Sequence, residues 1–403
     1  MTTATPTMSP LRAALSAGTE SVRAGEKSEM VRLLDLAACR PDVIRLGRGE
    51  PDIPTPPHIV AAAHRALDEG KTLYTHPAGI PELRAALAHK FEVDNHLSYD
   101  PETEIIVTAG VQEALAVTLR TLLNPGDEVL IAAPYYSPYE VNIKLAGGVP
   151  VFVPTYERDG FALRPDAIEA AITSRTKLLA VVSPSNPTAS AIDGATLEEI
   201  AQVAIRHDLV VLSDEIYEKI VYDGFEHVSI ATFPGMWERT VVINGFSKAY
   251  SMTGFRVGYM AGPADYIAAA LEPRHSLSIS TTTPSQYAAL AALTGPQDHI
   301  PAMMEDYTRR RELMGRTLDD LGVTYSPPRG GFYFFANIGR LGVDSFAFCA
   351  RAVSEYGVLF SPGSMFGEGG EGYVRIGFVQ PLPVLEEGLR RFAQTYHSFL
   401  QPL

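Results

Sequence analysis

The sequence predicts an α/β protein: a large unit on a mainly parallel seven-stranded sheet flanked by helices, then a small α+β unit. Three observations predict it. Strand-length apolar runs recur seven times between residues 105 and 261, several followed by helix-like stretches. Such alternation is the pattern of a parallel sheet with helical crossovers. The runs are continuously apolar, as strands covered on both faces are. After about Gly295 the pattern gives way to a long charged helical stretch and short, separate strands.

Residues 1–27, rich in Thr, Ser, Ala and Gly, read as an arm. The regular pattern starts near Glu102. The strand runs are 105–108, 129–132, 149–153, 177–182, 209–213, 240–244 and 257–261. Helical stretches cover 112–123, 165–172 and 197–207. Beyond Gly295 the expected elements are a helix over 300–321, strands near 332–336 and 373–378, and a helix over 384–400. The Arg309-Arg310-Arg311 run reads as a solvated helix face.

Composition narrows the function. Thirty-three Lys+Arg against 47 Asp+Glu give a net charge of −14, which argues against a nucleic-acid partner. A hydrophobic share of 46% argues against disorder, and 403 residues suit two domains. The two cysteines, Cys39 and Cys349, are too few for a disulfide framework and read as buried free thiols in a reducing compartment. The ten His residues show no ligand-like pair, so no metal is expected. Residues 1–27 lack the apolar run of a signal peptide, and no window of about 18 apolar residues occurs, so a cytoplasmic protein without membrane partners is expected.

The chemistry lies at strand ends. In an open parallel sheet, ligands bind beyond the carboxyl ends of the strands. The residues there include Gly110 opening a helix, Tyr136, Asn186, Asp214 and Lys248. Each alone has a plainer reading: punctuation, core packing, a turn, an N-cap, a surface lysine. Their conjunction suits one ligand. A helix N-terminus takes a phosphate. An aromatic stacks on a flat ring. A buried Asp keeps a ring nitrogen protonated, and a desolvated Lys forms a Schiff base with an aldehyde. Phosphate, pyridine and aldehyde together describe pyridoxal 5'-phosphate, an electron sink for amino-acid Cα chemistry.

The stretch Ser247-Lys248-Ala249-Tyr250-Ser251-Met252-Thr253-Gly254-Phe255-Arg256-Val257-Gly258 closely resembles the Schiff-base motif of class I/II aminotransferases, fold type I pyridoxal-phosphate enzymes. The resemblance runs from about Val43 to the C-terminus. It includes Leu46-Gly47-Arg48-Gly49-Glu50-Pro51-Asp52, Tyr74 with Gly79 and Leu83-Arg84, Ser185-Asn186-Pro187-Thr188, Ser213-Asp214-Glu215-Ile216-Tyr217 and Tyr373-Val374-Arg375-Ile376. It implies three segments: an arm (1–30), a small domain (31–62 and 296–403) and a large cofactor domain (63–295). It also implies transamination from an L-amino acid to a 2-oxo acid, 2-oxoglutarate or pyruvate. Other reactions on the same cofactor (β-lyase, decarboxylase, cyclase, oxidative deaminase) and a non-catalytic regulator are the alternatives.

By resemblance, Lys248 is the Schiff-base lysine, Asp214 the partner of the pyridine nitrogen, and Asn186 and Tyr217 the pair at the phenolic oxygen. Tyr136 stacks on the ring. Gly110, Val111, Gln112, Ser247 and Arg256 form the phosphate cup. Tyr74 reaches the phosphate of the neighbouring subunit, which implies a homodimer with shared sites. Arg375, Gly49 and Asn186 hold the substrate α-carboxylate. Cis bonds are expected before Pro134 and Pro187. Four positions depart from the family pattern: Ala189 for Gly, Gly245 for a phosphate-binding Ser, Arg48 for a smaller residue, and Gln112 where some aspartate-specific members carry Lys. Arg48 reads as a solvent-facing loop residue. The mouth of the site is expected to draw on residues 28–30, Arg48, residues 278–283 and Phe360.

Overall fold

The computed structural model describes residues 28–400, together with Ala14 and residues 16–22. Most of the expected arm therefore lies outside the described residues. In chain order the strands are β1 (Ile44–Arg45), β2 (Ile105–Thr108), β3 (Glu128–Ala133), β4 (Val149–Pro154), β5 (Thr176–Val182), β6 (Val210–Asp214), β7 (Thr240–Gly245), β8 (Gly258–Ala261), β9 (Tyr333–Asn337), β10 (Val358–Leu359), β11 (Ser361–Pro362) and β12 (Tyr373–Gly377). Seven of them form one sheet in the order β2-β8-β7-β6-β5-β3-β4. β3 to β7 run parallel, and only β8 is antiparallel to its neighbours β2 and β7. All seven strands fall within two residues of the sequence-predicted runs.

The crossovers follow local rules. The helix Gly194–Arg206 starts where the Asp193 carboxylate accepts the Thr196 N–H at 2.9 Å. It buries Leu197, Ile200, Ala201, Val203 and Ala204 against Leu179 and Val211 of the sheet. Such i, i+3, i+4 spacing gives a helix one apolar face. On the other side, the helix Val111–Leu122 buries Ala114, Leu115, Val117 and Leu119. The sheet is thus covered on both faces, as its unbroken apolar strands require.

A second core gathers Phe332, Phe334, Phe348, Phe360, Phe392 and Tyr396 with Leu33, Ala37 and Leu46 from the start of the chain. There β1 pairs in parallel with β10, and β11, β12 and β9 form a small antiparallel sheet. The helix Pro57–Asp68 instead sends Ile59 and Ala63 to the core around Leu83 and Ala288.

Two expectations fail here. The triple arginine is not a solvated face. Only Arg309 faces water beside Glu305; Arg310 is buried, donating to Asp52 at 2.7 Å and to Asp306, and Arg311 pairs with Asp223. A sequence run shows charges but not the acids that fold over them. Cys349 is buried, but Cys39 is exposed, because it caps the end of the helix Glu29–Ala38 outside its buried stripe of Leu33 and Ala37. Replacing Arg310 with Met leaves Asp52 without its cation and Asp306 with only the longer contact to Arg309 at 3.8 Å. Breaking a buried pair this way costs about 3–5 kcal/mol, so the denaturant midpoint of Arg310→Met is expected to fall clearly below that of the parent.

Candidate active site

The carboxyl edge of the large sheet opens into a cleft of about 470 Å³, a volume suited to a small organic ligand. Its walls include Gly49, Val111, Gln112, Tyr136, Asn186, Asp214, Tyr217, Ser247, Lys248, Arg256 and Arg375. The residues come from seven places in the chain, and the topology brings them together. Asp214 ends β6, Ser247 and Lys248 follow β7, and Arg256 precedes β8. Arg375 sits in the middle of β12, opposite Phe335 of β9.

At one end of the cleft, Gly110 leaves β2 with φ +84° and caps the helix Val111–Leu122. A Cβ at Gly110 would lie 2.6 Å from Arg256 Nη2, so the glycine makes room for the guanidinium as well as for the turn. Arg256 donates to the carbonyls of Thr253 (3.0 Å) and Ala109 (3.4 Å), neutral partners that leave its charge unmatched. The first N–H groups of the helix have no intrahelical acceptors. This end is built to receive an anion.

The middle holds Lys248. Its ammonium donates to the Gly49 carbonyl at 2.6 Å. Burial, together with the charges of Arg375 and Arg256, pushes its pKa down to about 8, against the opposing pull of Glu50 and Asp214. At neutral pH a far larger neutral fraction is thus available than for an ordinary lysine.

Asp214 lies deep on the floor. Burial raises its pKa to about 6, while hydrogen bonds from the Tyr139 hydroxyl (2.7 Å) and the Ile216 N–H (3.2 Å) limit the rise. Tyr217 is buried and its hydroxyl lies 3.0 Å from that of Tyr333.

Arg375 is buried and makes its hydrogen bonds to neutral oxygens: Asn186 Oδ1 at 2.7 Å, the Gly47 carbonyl at 3.0 Å and Ser361 Oγ at 3.3 Å. The guanidinium lies over Tyr333 (4.3 Å) and Phe366 (4.9 Å), which hold its plane. Its Nε has no partner. Gly49 passes so close that a Cβ there would lie 2.8 Å from the Tyr333 hydroxyl.

Several expectations about the mouth need correction. Phe360 does not reach it, being fully buried between Phe348 and Phe392. Glu29 instead accepts from Ser364 at 2.5 Å. Within the 278–283 loop, Ser278 is held by Glu113 and Thr283 by the Leu73 carbonyl. Arg48 does line the cleft, paired with Glu50 at 3.5 Å and about half exposed. Tyr74 lies outside its own cleft and is 77% exposed beside Leu73. Cis bonds precede Pro134 and Pro187 as expected, and also Pro184.

Sequence reasoning missed Tyr139 and Tyr333. Tyr139 stands three residues after Tyr136 across the start of a helix, a spacing that puts both on one face. Tyr333 was hidden in the apolar run Phe332-Tyr333-Phe334-Phe335, where alternation alone marks which side faces the cleft.

Residues 41–392 match the family model described as aminotransferase class I and II. The chain belongs to this family. An aspartate aminotransferase of Pyrococcus abyssi is 43% identical over 366 residues, 90% of this chain and 94% of that protein. The aromatic-amino-acid aminotransferase 2 of Thermococcus litoralis is 42% identical over the same length, with the same coverage of each. Among solved structures, the Thermus thermophilus aspartate aminotransferase with maleate superposes with a TM-score of 0.89 at 39% identity, covering 94% of this chain and 99% of that one. The enzyme is an aminotransferase that moves amino groups to 2-oxo acids.

Within this aminotransferase, Ala189 is buried and takes φ +56°, a left-handed turn that favours Gly. Tyr139→Phe removes a donor to ionised Asp214 and raises that carboxyl further. In the cofactor-free protein the Asp214 titration, expected near pH 6, then moves to higher pH, as followed by NMR of the carboxyl. The rate at neutral pH falls roughly tenfold, the scale of a hydrogen bond to a charged group.

Proposed function

We propose that this aminotransferase works with pyridoxal 5'-phosphate held on Lys248. The observation that carries the reading is the polarity of the cleft: an unmatched cationic end at Gly110 and Arg256, a lysine of lowered pKa in the middle, and a buried acid on the floor. These residues fit the cofactor's phosphate, aldehyde and pyridine nitrogen. When bound, the cofactor supplies an electron sink conjugated to the substrate Cα.

The protein's own groups do the rest. The amides of Gly110, Val111 and Gln112, with Ser247 and Arg256, hold the phosphate. Tyr136 offers its ring face as the stacking surface. Asn186 and Tyr217 bind the phenolic oxygen. Asp214, ionised at neutral pH, keeps a proton on the pyridine nitrogen, and Tyr139 holds its carboxylate in place. Arg375, oriented by Asn186, Tyr333 and Phe366, grips the α-carboxylate of donor and acceptor in turn, with the backbone at Gly49 beside it. The released Lys248 amine takes the proton from Cα and returns it at the neighbouring carbon.

The donor is an L-amino acid and the acceptor 2-oxoglutarate or pyruvate. We read the working form as a cytoplasmic homodimer. The exposed Leu73-Tyr74 pair supports a subunit contact there, with the partner subunit's Tyr74 completing the phosphate end. The two free thiols accord with a reducing compartment. We read the chain as a large cofactor domain between two segments of a small one. The packing of Ile59 and Ala63 favours a first boundary ahead of Pro57 rather than at residue 62.

The test is isotopic. A panel of ¹⁵N-labelled L-amino acids is incubated with 2-oxoglutarate or pyruvate. Label recovered in glutamate or alanine is the expected result; label released as ammonia from every donor would overturn transamination.

A further inference from the structure

The turn after β6 has two sides. Asp214, Ile216 and Tyr217 line the cleft. Glu215 and Glu218 point the other way, into a buried polar cluster that the mechanism does not use. Glu218 is held through both oxygens: Lys90 Nζ at 2.5 Å and Asn95 Nδ2 at 2.9 Å, with Lys90 also donating to Asn95 at 2.7 Å. Glu215 Oε1 accepts from Ser213 (2.8 Å) and Ser229 (2.6 Å). That leaves Oε2 facing His227 Nε2 at 3.3 Å, a charge contact, and neither atom has a hydrogen-bond partner.

Charge counting gives the state of the histidine. Two buried carboxylates face one ammonium, so the cluster is neutral only when His227 is protonated. Unpaired buried charge is costly, and proteins avoid it by proton uptake. The other titratable neighbours do not supply the missing charge, and His96 and Glu226 of the adjoining pocket are exposed to solvent. Tyr99, Tyr250 and Tyr259 are neutral, with burial holding their ionisation high, and Lys219 is engaged by Asp94 at 2.8 Å. An open pocket of about 460 Å³ reaches Glu218, His227 and Ser229, giving solvent protons access.

We propose that His227 is a positioning residue for transamination: its imidazolium, seated on Glu215, clamps the back of the turn that carries Asp214 and Tyr217 on its front. The ligand-type atoms of Glu215, Glu218 and His227 lie within 4.8 Å of one another, and Lys90 already neutralises Glu218. Burial and the charge of Lys90 oppose the charge on His227, yet the contact with Glu215 and the fields of Glu215 and Glu218 outweigh them and raise its pKa above the ordinary value. The sign follows by linkage. The clamp is complete below about pH 6.5 and is lost as pH rises through the raised value.

The consequence rests on the cofactor reading above, and the test separates the two. Affinity of the apoprotein for pyridoxal phosphate is measured from pH 6 to 9 for the parent, His227→Gln and Glu215→Gln, alongside kcat and KM. The parent is expected to lose affinity about tenfold more across this range than either variant. Both variants start from the weaker level, with kcat lowered and KM little changed. Parent and variant profiles that superimpose would overturn the proposal and leave His227 a structural residue only. If His227→Gln does not fold, NMR titration of the His227 ring in the parent apoprotein decides. A midpoint above the ordinary value supports the clamp, and a neutral ring at pH 6.5 overturns it. That titration holds even if pyridoxal phosphate fails to bind, an outcome that counts against the cofactor reading alone. Stoichiometric uptake of Zn²⁺ or Mn²⁺ by the parent, abolished in His227→Gln, would replace the clamp with a metal site.

Discussion

Lys248→Ala is expected to lower kcat by about 10⁴-fold or more, since one amine serves as both cofactor anchor and proton carrier. The protein should stay folded. The Lys248 side chain lines the cleft rather than a core, and its one side-chain hydrogen bond, to the Gly49 carbonyl, joins two loops. Pyridoxal phosphate binding should survive in weakened form, because the phosphate end at Gly110 and Arg256 and the floor at Asp214 remain intact. The measurement pairs steady-state rates with equilibrium dialysis of the cofactor. A variant that keeps more than about a hundredth of the parent rate would remove Lys248 from the chemistry.

Arg375→Ala carries the second large effect, and on a different parameter. The guanidinium is buried, its plane is fixed by Tyr333 and Phe366, and its hydrogen bonds go to neutral oxygens. A substrate carboxylate is therefore the anion it awaits. Losing a buried, hydrogen-bonded charge partner costs about 2–5 kcal/mol, so kcat/KM should drop roughly 30- to 4,000-fold. Both substrates carry an α-carboxylate, so amino donor and 2-oxo acceptor should suffer alike. Arg375→Lys should recover only part of this, since a point charge does not reproduce a planar fork. A loss confined to one substrate would reassign Arg375 to side-chain recognition.

Much of this was legible in one dimension. Strand ends in a parallel sheet share an edge, so reading the residue after each apolar run located Gly110, Tyr136, Asn186, Asp214 and Lys248 before any fold was known. All of them either line the cleft or, in the case of Gly110, cap the helix that opens onto it. What stayed hidden depends on contacts between distant segments. Arg310 looked solvated because Asp52 is 258 residues away in sequence. Phe360 looked like a lip of the site because the rings that enclose it, Phe348 and Phe392, come from two separate helices, Ser345–Tyr356 before it and Leu382–Leu400 after it. His227, Glu215 and Lys90 carry no spacing signal at all, since a helix, a turn and a loop meet behind the sheet edge. Tyr139 was within reach, three residues from Tyr136, but its partner Asp214 lies on another strand.

The most direct measurement is chemical. The purified enzyme loaded with pyridoxal phosphate is reduced with borohydride, digested and mapped by mass spectrometry. The cofactor mass should appear on the peptide containing Lys248 and on no other. Its appearance on a different lysine, or on none, would contradict the assignment of this cleft as the site of transamination.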